Sequence, residues 1–188
     1  MSDTAIIIRF WHKNREDQMW RYHYFLSNVL PRLQAQTDKD FDICMLAPPD
    51  LHDSLSEMGI KPFTLDVPYD YSIHANFCRI QTRGLKDYRI QIRMDSDDLV
   101  SPEFVSIIKN SRAKYVSFQP KLFLLNELRI KEMNHTYRED KPSMFLGVKD
   151  YDECIYHRVF FRFTPAEIHH GHAWMTIHNS NVGSGVHS

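Results

Sequence analysis

Apolar residues recur along the chain with two different periods, and the two alternate. Ala5-Ile6-Ile7-Ile8 is a continuous apolar run inside Thr4–Phe10, the pattern of a strand covered on both faces. From Glu16 the period lengthens. Tyr22, Phe25, Leu26, Val29, Leu30 and Leu33 recur at helical spacing, and Pro31 must kink or divide that helix. Phe41–Ala47 predicts a second strand, Leu51–Met58 a short helix ended by Gly59, and Lys61–Val67 a third strand. Ile73–Arg83 reads as a helix with Ile73, Phe77 and Ile80 on one face and Asn76, Arg79 and Arg83 on the other. In Arg89–Met94, Ile90, Ile92 and Met94 alternate with Arg89, Gln91 and Arg93, a fourth strand. Asp95-Ser96-Asp97-Asp98 ends it. The next helix is expected to start with Ser101 as N-cap and Pro102 at its first position, and to bury Phe104, Val105 and Ile108. Lys114–Phe118 is a fifth strand.

Strands and helices in alternation give an α/β fold on a mostly parallel sheet. Beyond residue 120 the rhythm changes. Lys121–Leu125, Leu128–Met133, Ser143–Val148 and Cys154–Phe161 read as short strands with few helices between them. They are expected to extend the same sheet as antiparallel additions, so that residues 1–188 form a single domain with a polar tail over 179–188.

A length of 188 residues suits one such domain, and 43% hydrophobic with 25% charged residues is a globular composition. The formal net charge of -1 offers no global field for nucleic acid or an anionic membrane, so any basic site is local. Cys44, Cys78 and Cys154 are scattered and make neither a disulfide framework nor a zinc knuckle. The start, Met1-Ser2-Asp3-Thr4, lacks a signal-peptide pattern, and no apolar run nears the ~20 residues of a transmembrane segment. The expectation is a cytoplasmic protein with free thiols.

The candidate chemistry lies in the Asp cluster. Three carboxylates within four positions repel one another, which a solvated loop or a bound cation relieves. Mg²⁺ and Mn²⁺ take oxygen ligands, commonly one or two carboxylates plus substrate phosphates. The cluster follows the C-terminal end of an apolar strand, where open α/β sheets bind ligands. A calcium EF-hand loop is excluded, because Val100 and Ser106 stand where its Gly and Glu are required.

Strand–helix alternation with Asp95-Ser96-Asp97-Asp98 after the fourth strand resembles the GT-A (Rossmann-like) fold of nucleotide-sugar glycosyltransferases, a three-layer sandwich. Three patterns look closer still to a rhamnosyltransferase group of bacteria and viruses: Ile8-Arg9-Phe10, Leu30-Pro31-Arg32-Leu33-Gln34-Ala35-Gln36-Thr37, and Arg93-Met94-Asp95-Ser96-Asp97-Asp98. The resemblance implies a nucleotide-sugar-binding half over 1–120 and an acceptor half over 121–178. It implies transfer of a sugar from a nucleotide-diphosphate donor to a hydroxyl on a glycan acceptor, with inversion, aided by Mn²⁺ or Mg²⁺. Asp97 is the expected metal ligand, Asp95 a contact to ribose or metal, and Asp98 an outer or sugar contact. His178 is expected to complete the metal shell. Arg79 and Arg83 would hold the diphosphate or sugar, and Arg9 the nucleobase or diphosphate.

Inversion needs a base for the acceptor hydroxyl, for which Asp150 is the first candidate, beside Asp152 and Glu153. Several alternatives stay open. Arg79 and Arg83 also suit a solvated helix face, and Arg93 a pair with a nearby acid. His169-His170-Gly171-His172 suits a zinc site or a polar loop. Trp11, Trp20, Tyr69, Tyr71 and Trp174 can stack on a base or sugar, although Trp20 on a helix also suits the core. A metal-dependent nucleotidyltransferase or phosphohydrolase, or a non-catalytic carbohydrate-binding domain, fits the same acid cluster. The first of these usually carries a Gly-rich loop after its first strand, which Ile8-Arg9-Phe10-Trp11-His12-Lys13 lacks.

Overall fold

The computed structural model describes residues 2–10, 15–64, 85, 87–131, 145–149 and 167–178. Its centre is the parallel trio that the apolar runs predict. Strand β1 (Thr4–Arg9) lies between β2 (Asp42–Leu46) and β4 (Ile90–Asp95), with β3 (Lys61–Phe63) outside β2. The sheet continues past β4 through β8 (Phe145–Lys149), β6 (Tyr115–Leu124), β9 (Glu167–Ile177) and the two-residue β5 (Leu99–Val100). A short β7 (Arg129–Lys131) pairs with β6. Strand β8 is antiparallel to both neighbours, whereas β9 runs parallel to β6.

Two apolar clusters sandwich this sheet. Ile6, Ile8, Met45, Ile90, Ile92, Met94, Val116 and Phe118 face one way, toward Phe25, Leu33, Leu55, Phe104 and Ile108 of the helices. Ala5, Ile7, Cys44 and Leu46 face the other way, under Leu85 and Tyr88. Burial pushes the Cys44 thiol up to about 11, so it stays an unreactive thiol at neutral pH.

The expected helix from residue 16 comes in three pieces: α1 (Arg15–Tyr24), a π turn (Phe25–Val29) and α2 (Leu30–Gln34). Pro31 carries no N–H, and the amide before it, Leu30, reaches back five residues to the Phe25 carbonyl. Helix α3 (His52–Glu57) follows a 3₁₀ turn at Pro49–Leu51, and Gly59 stops it in the left-handed region at φ 76°.

Several expectations need correcting. Helix α4 spans Phe104–Asn110, and Ser101 does not cap it. The Ser101 hydroxyl bonds His172 Nδ1 at 2.9 Å, and the amide of Val105 is met instead by Gln36 Oε1 at 3.0 Å. The same Gln36 donates from Nε2 to the Ser101 carbonyl at 2.7 Å, so one buried amide ties α2 to the start of α4. Lys114–Phe118 and Lys121–Leu125 are not two strands but one, β6, with Pro120 inside it. Pro120 sits at a register shift: Gln119 pairs with His170 and Lys121 with Trp174, so β9 bulges opposite the residue that cannot donate. Gly171, at φ 81°, makes the bulge possible. The expected helix over 73–83, the strand over 154–161 and the tail over 179–188 lie outside the described residues.

Gly147 of β8 lies under α4. A Cβ there would stand 2.5 Å from Ile108 Cγ2, and Ile108 is itself fully buried. Gly147→Ala is expected to destabilise the protein by about 1–3 kcal/mol in urea denaturation, and the double variant with Ile108→Ala, which removes Cγ2, should be less destabilised than the two single changes added together.

Candidate active site

Parallel pairing of β1 with β4 in register puts Arg9 directly opposite Asp95. Both side chains leave the same face at the C-terminal end of the sheet. Arg93, two residues before Asp95, shares that face. Arg9 Nη2 stands 3.6 Å and Arg93 Nη2 3.7 Å from Asp95 Oδ1, so this carboxylate lies between two guanidinium groups.

The chain then turns sharply, with the Asp98 amide 3.4 Å from the Asp95 carbonyl. Asp97 and Asp98 are carried inward and are both buried. Each meets the end of β9. The Thr176 amide donates to Asp98 Oδ1 at 3.2 Å, and His178 Nε2 lies 2.8 Å from Asp97 Oδ2. A carboxylate only accepts, so Nε2 carries the proton of that bond.

Asp97 Oδ2 has a second partner. Arg21 of α1 places Nη1 2.9 Å from it, and the Arg21 side chain is only 14% exposed. Around this pair Trp20 packs on Tyr24 at 5.4 Å with rings 15° apart, and on His178 at 4.5 Å. Trp20 is 38% exposed, so it is not the core residue that a helical Trp suggests. Tyr24 also reaches Thr176 through its hydroxyl at 3.3 Å, and its burial beside the acids raises the phenol pKa.

The structure therefore brings Arg9, Asp95, Asp97, Asp98 and His178 to one end of the sheet. Arg79, Arg83 and Asp150 lie outside the described residues, as do Trp11, Tyr69 and Tyr71. His169, His170 and His172 are part of β9 rather than a polar loop. His169 Nε2 pairs with Glu167 at 2.7 Å and His172 with Ser101. Among the described residues, no three His, Cys, Asp or Glu side chains are grouped to hold a metal ion.

Arg21 is the member that the sequence reading missed. Its signal was present: it stands three and four residues before Tyr24 and Phe25, so it is a cation on the flank of an apolar stripe.

Burial raises the Asp98 pKa well above the ordinary carboxylate range, and the charges of Asp97 and then Asp95 add to the effect. The folded state thus keeps this proton to higher pH than the unfolded chain does. Stability contributed by Asp98 is greatest in acid and falls as pH rises through that window. Asp98→Asn, which keeps an acceptor for Thr176, is expected to match wild type near pH 4. It should become progressively more stable than wild type toward pH 7, as read by urea denaturation at each pH.

No helix among the described residues is long and apolar enough to cross a membrane. The fold matches solved structures of Staphylococcus aureus TarS. The 1–349 fragment superposes with a TM-score of 0.62 at 11% identity, over 94% of this chain and 60% of that one. Its complex with UDP-GlcNAc superposes with a TM-score of 0.62 at 10% identity, over 100% and 62%. The chain thus spans less than two thirds of either structure, and at this identity the likeness establishes a shared, GT-A-like fold. A comparison with curated proteins found no match. Residues 15–123, more than half of the chain, match the family described as putative rhamnosyl transferase, and the chain belongs to that family.

Proposed function

We propose that this protein transfers a sugar from a nucleoside-diphosphate sugar to a hydroxyl group on a glycan acceptor. The observation that carries the reading is the convergence of Arg9, Arg21, Asp95, Asp97 and His178 at the C-terminal end of β1 and β4. Family membership supports it, as does a shared fold with a protein crystallised with UDP-GlcNAc and with UDP.

In the transfer, the bond from the sugar's anomeric carbon to the diphosphate oxygen breaks. Its electron pair leaves with the nucleoside diphosphate. The acceptor oxygen forms the new bond to that carbon, and its proton passes to a carboxylate base, for which Asp150 is the sequence candidate. Negative charge grows on the leaving diphosphate, so fixed cationic groups at that place lower the barrier. Arg9 and Arg21 supply such groups, with Arg79 and Arg83 as further candidates from the sequence. Trp20 offers a partly exposed ring beside the site for stacking on a sugar or base.

The divalent cation implied by the family resemblance fits these residues poorly as they stand. Asp97 Oδ2 already has Arg21 at 2.9 Å, and the His178 nitrogen facing it donates rather than ligates. A divalent ion bound at that oxygen would sit about 4 Å from the guanidinium charge. At an effective dielectric of about 20, the repulsion is roughly 8 kcal/mol. No step of the transfer is therefore routed through a metal.

The test is binding and turnover together. Thermal melts are run with UDP, GDP, dTDP, ADP and the matching triphosphates. One nucleoside diphosphate at about 100 times its Kd should stabilise the fold by about 2.7 kcal/mol. The corresponding nucleotide sugar should be consumed when a glycan acceptor is supplied. Stabilisation by triphosphates alone would point instead to a nucleotidyltransferase.

A further inference from the structure

We propose that Arg21 takes the place at Asp97 that the sequence gives to a divalent cation, so that Arg9 and Arg21 meet the donor's diphosphate with the protein's own charge and no metal. This rests on the transferase reading above and specifies how its donor is held.

Three observations carry it. First, charge is already balanced at the acid cluster. Asp95 has Arg9 and Arg93 beside it and Asp97 has Arg21, while buried Asp98 is held toward its neutral form and takes the Thr176 amide. The mutual repulsion that calls for a cation in the sequence is relieved by side chains. Second, Arg21 is built in rather than draped over the surface. It comes from α1 with its side chain 14% exposed, and the Asp97 oxygen that it meets is also held by His178 at 2.8 Å. A guanidinium fixed in this way presents a planar fork, the geometry that matches phosphate oxygens. Third, α1 holds another polar group at the same flank. Gln18, one turn before Arg21, is 5% exposed, and its Nε2 has no acceptor among the described residues. A buried donor left in this state is costly unless something supplies an acceptor, and an anion's oxygen does.

The division of labour follows. Asp97 orients Arg21, as His178 orients Asp97. Arg21 and Arg9 take the charge that arrives on the diphosphate when the anomeric carbon–oxygen bond breaks and its electron pair leaves with the nucleotide. Arg21 is thus the group that touches the leaving group, and Asp97 positions it.

The experiment is calorimetric titration of the full chain with UDP, GDP, dTDP and ADP, first in EDTA and then in excess Mn²⁺ at the same ionic strength. The expected result is binding of at least one nucleoside diphosphate in EDTA, with Kd changing less than about threefold in Mn²⁺. Arg21→Ala should weaken that Kd 10-fold or more, and Arg21→Lys should recover part of it. The Kd of the parent nucleoside, which carries no phosphate, should not move in either variant; a merely structural Arg21 would weaken both ligands. Asp97→Asn, which loosens the hold on Arg21, should leave a measurable Kd in EDTA.

Binding that requires Mn²⁺ and vanishes in Asp97→Asn would overturn the metal-free site while leaving the transferase reading intact. Binding of no nucleoside diphosphate in either buffer would overturn both.

Discussion

Three stretches of chain far apart in sequence meet at one oxygen, Asp97 Oδ2. The β4–β5 turn supplies the carboxylate, α1 supplies Arg21 and the end of β9 supplies His178. A buried carboxylate is tolerable only when its charge is answered and its lone pairs are used. Asp97 therefore constrains where both partner elements sit. The neighbouring contacts obey the same requirement: Asp98 takes the Thr176 amide, and Tyr24 reaches the Thr176 hydroxyl. The end of the sheet is organised by polar satisfaction, and the apolar layers beneath it position the elements that provide it.

Those layers were legible in the chain because their signals are local. The run at residues 5–8 and the alternation at 90–94 each announce a strand without reference to anything distant, and the acids at its end follow directly. The Arg9–Asp95 pair was half legible. Each residue was placed at a strand end, but only the β1–β4 register makes them partners. What the sequence hid depends on partners more than fifty residues away. Ser101 has the right composition for a cap, yet His172 takes its hydroxyl and Gln36 does the capping. Lys114–Phe118 and Lys121–Leu125 read as separate strands, yet a bulge in β9 absorbs the Pro120 between them. Arg21 looks like a surface residue on an amphipathic helix until Asp97 is known to lie beneath it.

The π turn matters for the same reason. It lies directly after Tyr24 and before Pro31, so the wide turn separates the part of the helix that reaches the site as well as the core from the part that packs in the core. Trp20, Arg21 and Tyr24 point toward His178, Asp97 and Thr176, while Leu30 and Leu33 pack in the main cluster. An unbroken helix would carry one stripe through both. The extra residue gives each half its own facing.

Strand β9 is the last described element and also the one that answers both buried acids. During synthesis, the first four strands and their helices leave the ribosome with that corner of the sheet still open to water. Until residues 167–178 emerge and slot in alongside β6, Asp97 lacks His178 and Asp98 lacks the Thr176 amide. The charged corner is thus closed by a segment made after the strands beneath it, once the apolar layers on β1, β2 and β4 already exist.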